Sequence, residues 1–453
     1  MAGHHAVTQG HEATAELKRS FSWRVVAAAA GMISTFLLTV IVVRTLDDKD
    51  AAGFFAILAA LSIGPLIGRL GLGPNAVRLI PAEQDHAKRR IIAGTHLRAT
   101  ALLTLPSAPV VSFFATAGLI GHGDFTPAFL LTTVIIVIET LRLMLSDIFA
   151  AYGRVPASVA TMHYIRSTMV LPVVGVVAFT LERPTLTVLL SAYVAVAALQ
   201  FVVALYYGRR DIAISKSVGI ASLRAAIGSG TRLFSLELSA FLMMSGTIWL
   251  ANMTFPAVTA THYSAAATIA MQVTILESLF ALAVTPPAAR LWADGKKDHV
   301  VRLLSNVATV NTAITICLVI ALGLFGGLAL QTAYGPSMRD ASTLLVILAA
   351  SGIVQAALNA NISLLIIGGF INEVSRTAMI VLAIVLPCGI VAAIVGGPLP
   401  LAIVSSCGVA LLSVAEWITA RRVMDRAPRA HRHLIAAARE LLERPPGSVA
   451  LGT

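Results

Sequence analysis

Residues 51–73 read AAGFFAILAALSIGPLIGRLGLG, an apolar run whose one charged residue, Arg69, lies near its end. About 20 mostly apolar residues in helical conformation cross the hydrocarbon core of a bilayer. This run is too long and too uniformly apolar for one face of a soluble helix. Eleven further stretches read the same way, giving spans at 23–44, 51–73, 99–120, 128–151, 167–182, 187–208, 233–253, 262–287, 304–329, 341–367, 377–396 and 400–420. The shortest, 167–182, also contains Pro172. The composition agrees. Of 453 residues, 57% are hydrophobic and 12% charged, about half the charge a water-facing surface carries. The expected fold is therefore all-α and polytopic, with about twelve transmembrane helices.

The net charge of +11 would suggest nucleic acid in a soluble chain. Here the cations fall between spans. One side collects Lys18, Arg19, Arg78, Lys88, Arg89, Arg90, Arg98, Arg154, Arg166, Arg209, Arg210, Lys216, Arg224, Arg232, Arg290, Lys296, Lys297, Arg302, Arg376 and the arginines after residue 420. The other side holds Arg44, Lys49, Arg183 and Arg339. Short basic connections mark the cytoplasmic side, so both termini are expected in the cytoplasm and the protein in the plasma membrane, with no nucleic-acid partner. The polar start with His4, His5 and His11 is not a signal peptide. Cys317, Cys388 and Cys407 lie in apolar segments without a CxxC pair, which argues against a metal or disulfide role. The tail, 421–444, places Leu434, Ala437, Leu441 and Leu442 at roughly helical spacing among arginines. Such a helix either lies on anionic lipid or recruits a partner.

A faint repeat divides the chain. Pro74-Asn75-Ala76-Val77-Arg78 follows the second span, and Pro286-Pro287-Ala288-Ala289-Arg290 ends the eighth. The first and seventh spans begin at a similar offset. Two six-helix bundles are expected, 23–215 and 216–420, between a 1–22 cytoplasmic tail and a basic 421–453 tail. Six is even, so the bundles share one topology and enclose a central cavity. Transporters use that arrangement for rocking about a midplane site.

The second span carries a family resemblance. Ala52-Gly53-Phe54-Phe55-Ala56-Ile57 opens it and Arg69-Leu70-Gly71-Leu72-Gly73-Pro74-Asn75-Ala76-Val77-Arg78 closes it. This resembles the polysaccharide-transport branch of the multidrug/oligosaccharidyl-lipid/polysaccharide flippase superfamily, the lipid-linked oligosaccharide flippases. The likeness is motif-specific over about residues 20–95, and His262-Tyr263-Ser264-Ala265 is a weaker counterpart in the second half. The resemblance implies a V-shaped cavity opening alternately to each side. It also implies an undecaprenyl- or polyprenyl-pyrophosphate-linked glycan as substrate and frequent coupling to an ion gradient. Cell-surface polysaccharide assembly proteins are the implied partners, besides membrane lipids.

Ionisable groups at membrane depth are costly and default to functional candidates. Arg69 and Arg142 suit a pyrophosphate, because a guanidinium forks onto phosphate oxygens. Arg69 can also snorkel, and Arg24 sits at the interface. Asn311, Gln355, Asn359 and Asn361 offer hydrogen bonds for sugars, or glue between helices. Glu139 and Arg142 are three apart on one helix face, with Asp147 on a similar face. They form either a charged wall on the cavity or an internal salt bridge. Glu277, alone in mid-span, and Glu237 suit H⁺ or Na⁺ coupling, since desolvation raises a lone carboxyl's pKa; Glu139 and Asp147 are further ion-coupling candidates. Pro65, Pro106, Pro109, Pro172 and Pro387 interrupt spans and permit kinks.

Two other functions fit parts of the sequence. A drug/cation antiporter of the same superfamily would use carboxylates and aromatics, whereas here 6% of residues are aromatic and arginines enter the spans. A membrane glycosyltransferase would place a catalytic acid after the first span, where Asp48-Lys49-Asp50 forms a DxD. The six-residue loop leaves no room for the outer domain such enzymes carry. No enzymatic activity, metal or cofactor is expected.

Overall fold

A computed structural model describes residues 26–121, 123–181, 184–213, 234–235, 238–239, 241–424 and 427–443; for 155, 163–164, 274–283, 285–287, 290 and 442–443 it describes the backbone alone. The described residues are helical throughout, without strands. Among them, nine helices are long and apolar enough to cross a membrane, and Ile165–Thr180 is a shorter apolar helix. The 37-residue helix Ala257–Ala293 and the interrupted segment ending in Gly246–Thr254 complete twelve crossings. The short fifth crossing runs through Pro172, within His163–Thr180.

In chain order the helices of the first lobe are α1 (Val26–Thr45), α2 (Asp48–Arg69), α3 (Leu72–Ala82), α4 (His86–Thr116), α5 (Phe125–Ala151), α6 (Val155–Ala160), α7 (His163–Thr180) and α8 (Leu186–Gly208). Those of the second are α9 (Gly246–Thr254), α10 (Ala257–Ala293), α11 (Lys297–Tyr334), α12 (Ser342–Leu358), α13 (Ala360–Ile367), α14 (Ile371–Val391), α15 (Pro398–Met424) and α16 (Leu434–Glu443). The expected boundary at 215/216 falls in 214–233, outside the described residues.

The acidic stretch after α1 is consumed by helix ends. Asp47 N-caps α2, its carboxylate accepting from the Asp50 N–H at 2.8 Å. Asp50 is buried and accepts from the Leu186 N–H at 3.3 Å, in the first turn of α8. Free N–H groups at helix starts seek such oxygens. The DxD acids are thus helix-start groups, and among the described residues no group of three or more His, Cys, Asp or Glu side chains could hold a metal.

The second span differs from the expected 51–73. Helix α2 stops at Arg69, Leu70 adopts a left-handed conformation (φ 41°), and Gly71 continues it (φ 74°) before α3 begins. A left-handed leucine is sterically unfavourable, and the glycine beside it makes the turn affordable. Gly73 has a separate role, since a Cβ there would overlap the Asp147 carboxylate. In the second lobe the corresponding Pro286-Pro287 pair lies inside the unbroken α10. The repeated Pro-x-x-x-Arg therefore marks an independent helix in one lobe and the end of a long one in the other.

The lobes meet most firmly at the arginine-poor end. There the Trp249 indole donates to the Ala56 carbonyl at 2.9 Å, Asn252 to the Ala52 carbonyl at 2.8 Å, and Thr261 to the Asp48 carbonyl at 2.6 Å. Arg44 donates to the carbonyls of Ala333 and Thr332, at the C-terminal end of α11, and Thr39 bonds Tyr334 at 2.9 Å. Phe114 stacks on Trp249 within the same seam.

The tail corrects the expectation of a helix lying on lipid. Ala437 is buried, and Leu441 packs against a cluster containing Val284, Val300 and Leu304. Glu440 meets Arg302 at 3.1 Å and accepts from Asn306 at 2.8 Å. His431 bonds Asn306 at 3.0 Å, and its N–H donates to Thr309 at 3.0 Å. Residues 427–443 therefore strap the arginine-rich end of the second lobe. Of the periodic residues, Leu434 faces outward beside Ile435, which is 84% exposed.

Candidate functional site: a charged core in the first lobe

Helix α5 carries three ionisable residues into the first lobe, and the fold deals with them in two separate ways. Glu139 and Arg142 share a face and are both 0% exposed. The Arg142 Nη2 meets Glu139 Oε2 at 2.6 Å, and its Nε reaches Oε1 at 3.3 Å. The remaining Nη1 donates to the carbonyls of Thr161 (2.7 Å) and Met162 (3.3 Å). Those carbonyls lie where α6 ends and α7 begins; the Met162 carbonyl also accepts from the Ile165 N–H at 3.2 Å, and Arg142 supplies the donor that the helix junction denies Thr161. Arg142 is thus a buried fork holding one carboxylate and one helix junction. It has no surface toward a chamber in this conformation.

Arg166 joins this core. Its Nη1 lies 3.6 Å from Glu139 Oε2 and donates to the Leu61 carbonyl of α2 at 3.2 Å. Its guanidinium carbon lies 6.0 Å from the Tyr193 ring centroid. The sequence reading assigns Arg166 to a cytoplasmic connection, because it directly precedes the apolar run of the fifth span. The structure instead buries it, since α7 starts three residues earlier and turns the side chain inward. No local sequence signal marks it. Within the core, two guanidinium groups face one carboxylate.

The second arrangement is Arg69 with Asp147. Their Nη1 and Oδ2 are 2.7 Å apart, and the side chains are 24% and 26% exposed. Arg69 also donates to the Pro65 carbonyl at 3.3 Å. Asp147 is therefore a paired carboxylate, separate from Glu139. The Gly71–Gly73 turn fits over it, which gives the Gly-Leu-Gly motif a physical purpose. On the other side of α3, Asn75 lies 3.3 Å from His96 and accepts from Arg78 at 3.3 Å, fastening α3 to α4.

The remaining candidates lie apart from this core. Asn311, on α11, is buried, and its Oδ1 has no partner among the described residues. Asn359 occupies the break between α12 and α13, and Asn361, two residues on, donates to the Pro428 carbonyl at 3.0 Å and so holds the tail strap. Glu277 lies on α10, with its backbone alone described. Arg24 and Glu237 lie outside the described residues. Glu416, buried in α15, is a membrane-depth acid that the sequence reading passes over.

Two lobes of membrane-spanning helices, joined at one end and carrying charge in the interior, define a polytopic membrane protein. Solved structures share this fold. The chain superposes on an inward-facing multidrug resistance MATE family transporter of the MOP superfamily with a TM-score of 0.61 at 11% identity, covering 89% of this chain and 97% of that one. For the lipid II flippase MurJ in an inward closed conformation the TM-score is 0.64 at 13% identity, over 87% of this chain and 86% of that one. For the eukaryotic MATE transporter AtDTX14 it is 0.64 at 15% identity, over 94% and 98%. No family model and no curated protein matches the sequence. The chain therefore shares the fold of these MATE and MurJ structures.

Proposed function

We propose that the protein is an alternating-access flippase for a polyprenyl-pyrophosphate-linked oligosaccharide, serving cell-surface polysaccharide assembly. The observation that carries this reading is the charge balance of the buried core on α5. Glu139 is outnumbered by Arg142 and Arg166, and Asp147 is neutralised by Arg69. A buried cation in excess favours an anionic headgroup through its field in a low-dielectric interior. A cationic drug meets a field of its own sign.

In this reading Arg69, part-exposed beyond its ion pair, receives the pyrophosphate. Arg142 and Arg166 act through the lobe's field. Asn311 and Asn359 serve the sugars, and Glu277, with Glu237, handles a coupling H⁺ or Na⁺. The arginine-rich end faces the cytoplasm of a plasma-membrane protein with both termini inside. The seam of Trp249, Asn252, Thr261 and Arg44 then closes the outer side. Two similar structures are multidrug transporters, which supports a drug/cation antiporter as the second reading.

The test is reconstitution in proteoliposomes with labelled lipid-linked glycan and, in parallel, a cationic dye. The flippase reading expects glycan translocation that Arg69→Ala abolishes and Arg339→Ala, at the arginine-poor end, leaves intact. Dye transport without glycan transport would establish the antiporter.

A further inference from the structure

The first lobe carries a second concentration of cations, away from the charged core, where α8 ends. Arg154 meets Asp211 Oδ2 at 2.6 Å and lies 3.5 Å from the Tyr207 carbonyl. The Arg209 guanidinium lies 4.1 Å from the Tyr206 ring centroid. Asp211 is buried, and its carbonyl accepts from the Tyr152 hydroxyl at 3.0 Å. The Arg90 carbonyl accepts from the Ala213 N–H at 3.0 Å, so the chain leaving α8 is pinned to the start of α4. Arg90 Nε has no partner among the described residues. Burial holds the Tyr152 phenol above its ordinary range and Asp211 adds to this, against the pull of Arg89, Arg90 and Arg154. Arg154 thus engages the Asp211 carboxylate, Arg89 and Arg90 lie near Tyr152, and Arg209 and Arg210 directly precede Asp211 in the chain.

Immediately along α8 from this corner, Leu199, Val202, Val203 and Tyr206 form an exposed stripe at helical spacing, with Tyr207 exposed beside it. An aromatic pair between an apolar stripe and a cationic corner is the layering of a membrane interface. The guanidinium groups lie where phosphates lie, and the stripe lies where acyl chains lie. Arg209 is held over its ring and Arg154 by a buried acid, so both are oriented before any ligand arrives. Guanidinium groups recognise phosphate oxygens in pairs.

We propose that this corner binds an anionic phospholipid, its phosphate on Arg209, Arg210 and Arg154 and one acyl chain along Leu199, Val202 and Tyr206. The site lies on the lipid flank of α8 and does not depend on what the transporter carries. A soluble anion would use the arginines and leave the stripe bare.

The experiment is native mass spectrometry of the full chain in detergent, titrated with phosphatidylglycerol, with phosphatidylcholine, and with inorganic phosphate. Arg209→Gln/Arg210→Gln is the informative variant, because both side chains are exposed and Arg154 stays to neutralise buried Asp211. Arg421→Gln is the control, an arginine stacked on Trp417 in the second lobe. The wild type is expected to prefer phosphatidylglycerol. The double variant should lose that preference by about fivefold per arginine removed, while Arg421→Gln keeps it. Equal binding of the two lipids by the wild type would overturn the site, and so would an equal loss in Arg421→Gln. Displacement of the lipid by millimolar phosphate would reassign the corner to soluble anions.

Discussion

Replacing Arg142 with leucine tests whether the buried core is structural. The side chain is fully enclosed, and its loss leaves Glu139 with Arg166 alone, at 3.6 Å. Removing one partner of a buried ion pair costs about 3–5 kcal/mol, because the other charge stays desolvated. The Thr161 carbonyl also loses its donor, at about 1–3 kcal/mol for a buried group left unsatisfied, while the Met162 carbonyl keeps the Ile165 N–H. These terms share one site and do not add fully, so about 5 kcal/mol is expected. For a folding unit of lobe size each kcal/mol moves the melting temperature by about 2–4 °C, giving a loss on the order of 10–20 °C. Arg69→Leu breaks a pair that is about one-quarter exposed and should cost about 1 kcal/mol or less. The assay is thermal unfolding of purified protein, read by the fraction surviving as a monodisperse species. Adding Glu139→Gln to Arg142→Leu removes the stranded carboxylate and should recover part of the loss. An Arg142→Leu variant melting within about 2 °C of the wild type would refute the reasoning, as would one no worse than Arg69→Leu.

Two more outcomes follow from the same geometry. Gly73→Ala places a methyl group on the Asp147 carboxylate. It should break the Arg69–Asp147 pair and lower both melting temperature and transport, whereas Gly323→Ala, which meets open space on α11, should leave both unchanged; equal effects of the two would exclude the packing argument. Arg44→Ala removes the fork on the Ala333 and Thr332 carbonyls. At about 1 kcal/mol this should raise the population open at the arginine-poor end about fivefold, measured as the spin-label distance between positions 49 and 258, and an unchanged distance distribution would mean that the fork does not hold the seam.

The twelve apolar runs, the even alternation of cations and the two-lobe layout are legible in the sequence because each rests on a one-dimensional quantity. Hydrocarbon thickness fixes segment length, and loop charge is counted along the chain. The Glu139–Arg142 pair is equally legible, since a three-residue spacing fixes the geometry on a helix. The break at Leu70-Gly71 is less so. Gly-Leu-Gly permits a turn, but only the nearness of Asp147 on α5 explains why Gly73 must lack a side chain. The tail shows the same limit, because amphipathic spacing does not say whether lipid or α11 takes the apolar face. Arg166 marks where local reading ends. Its neighbours place it at a span edge, while the packing of α2, α5, α7 and α8 draws it into the core beside Glu139. The sequence determined which segments enter the membrane, through transfer energies that each segment carries by itself. The tertiary structure decided which charges meet, because that depends on contacts between segments far apart in the chain.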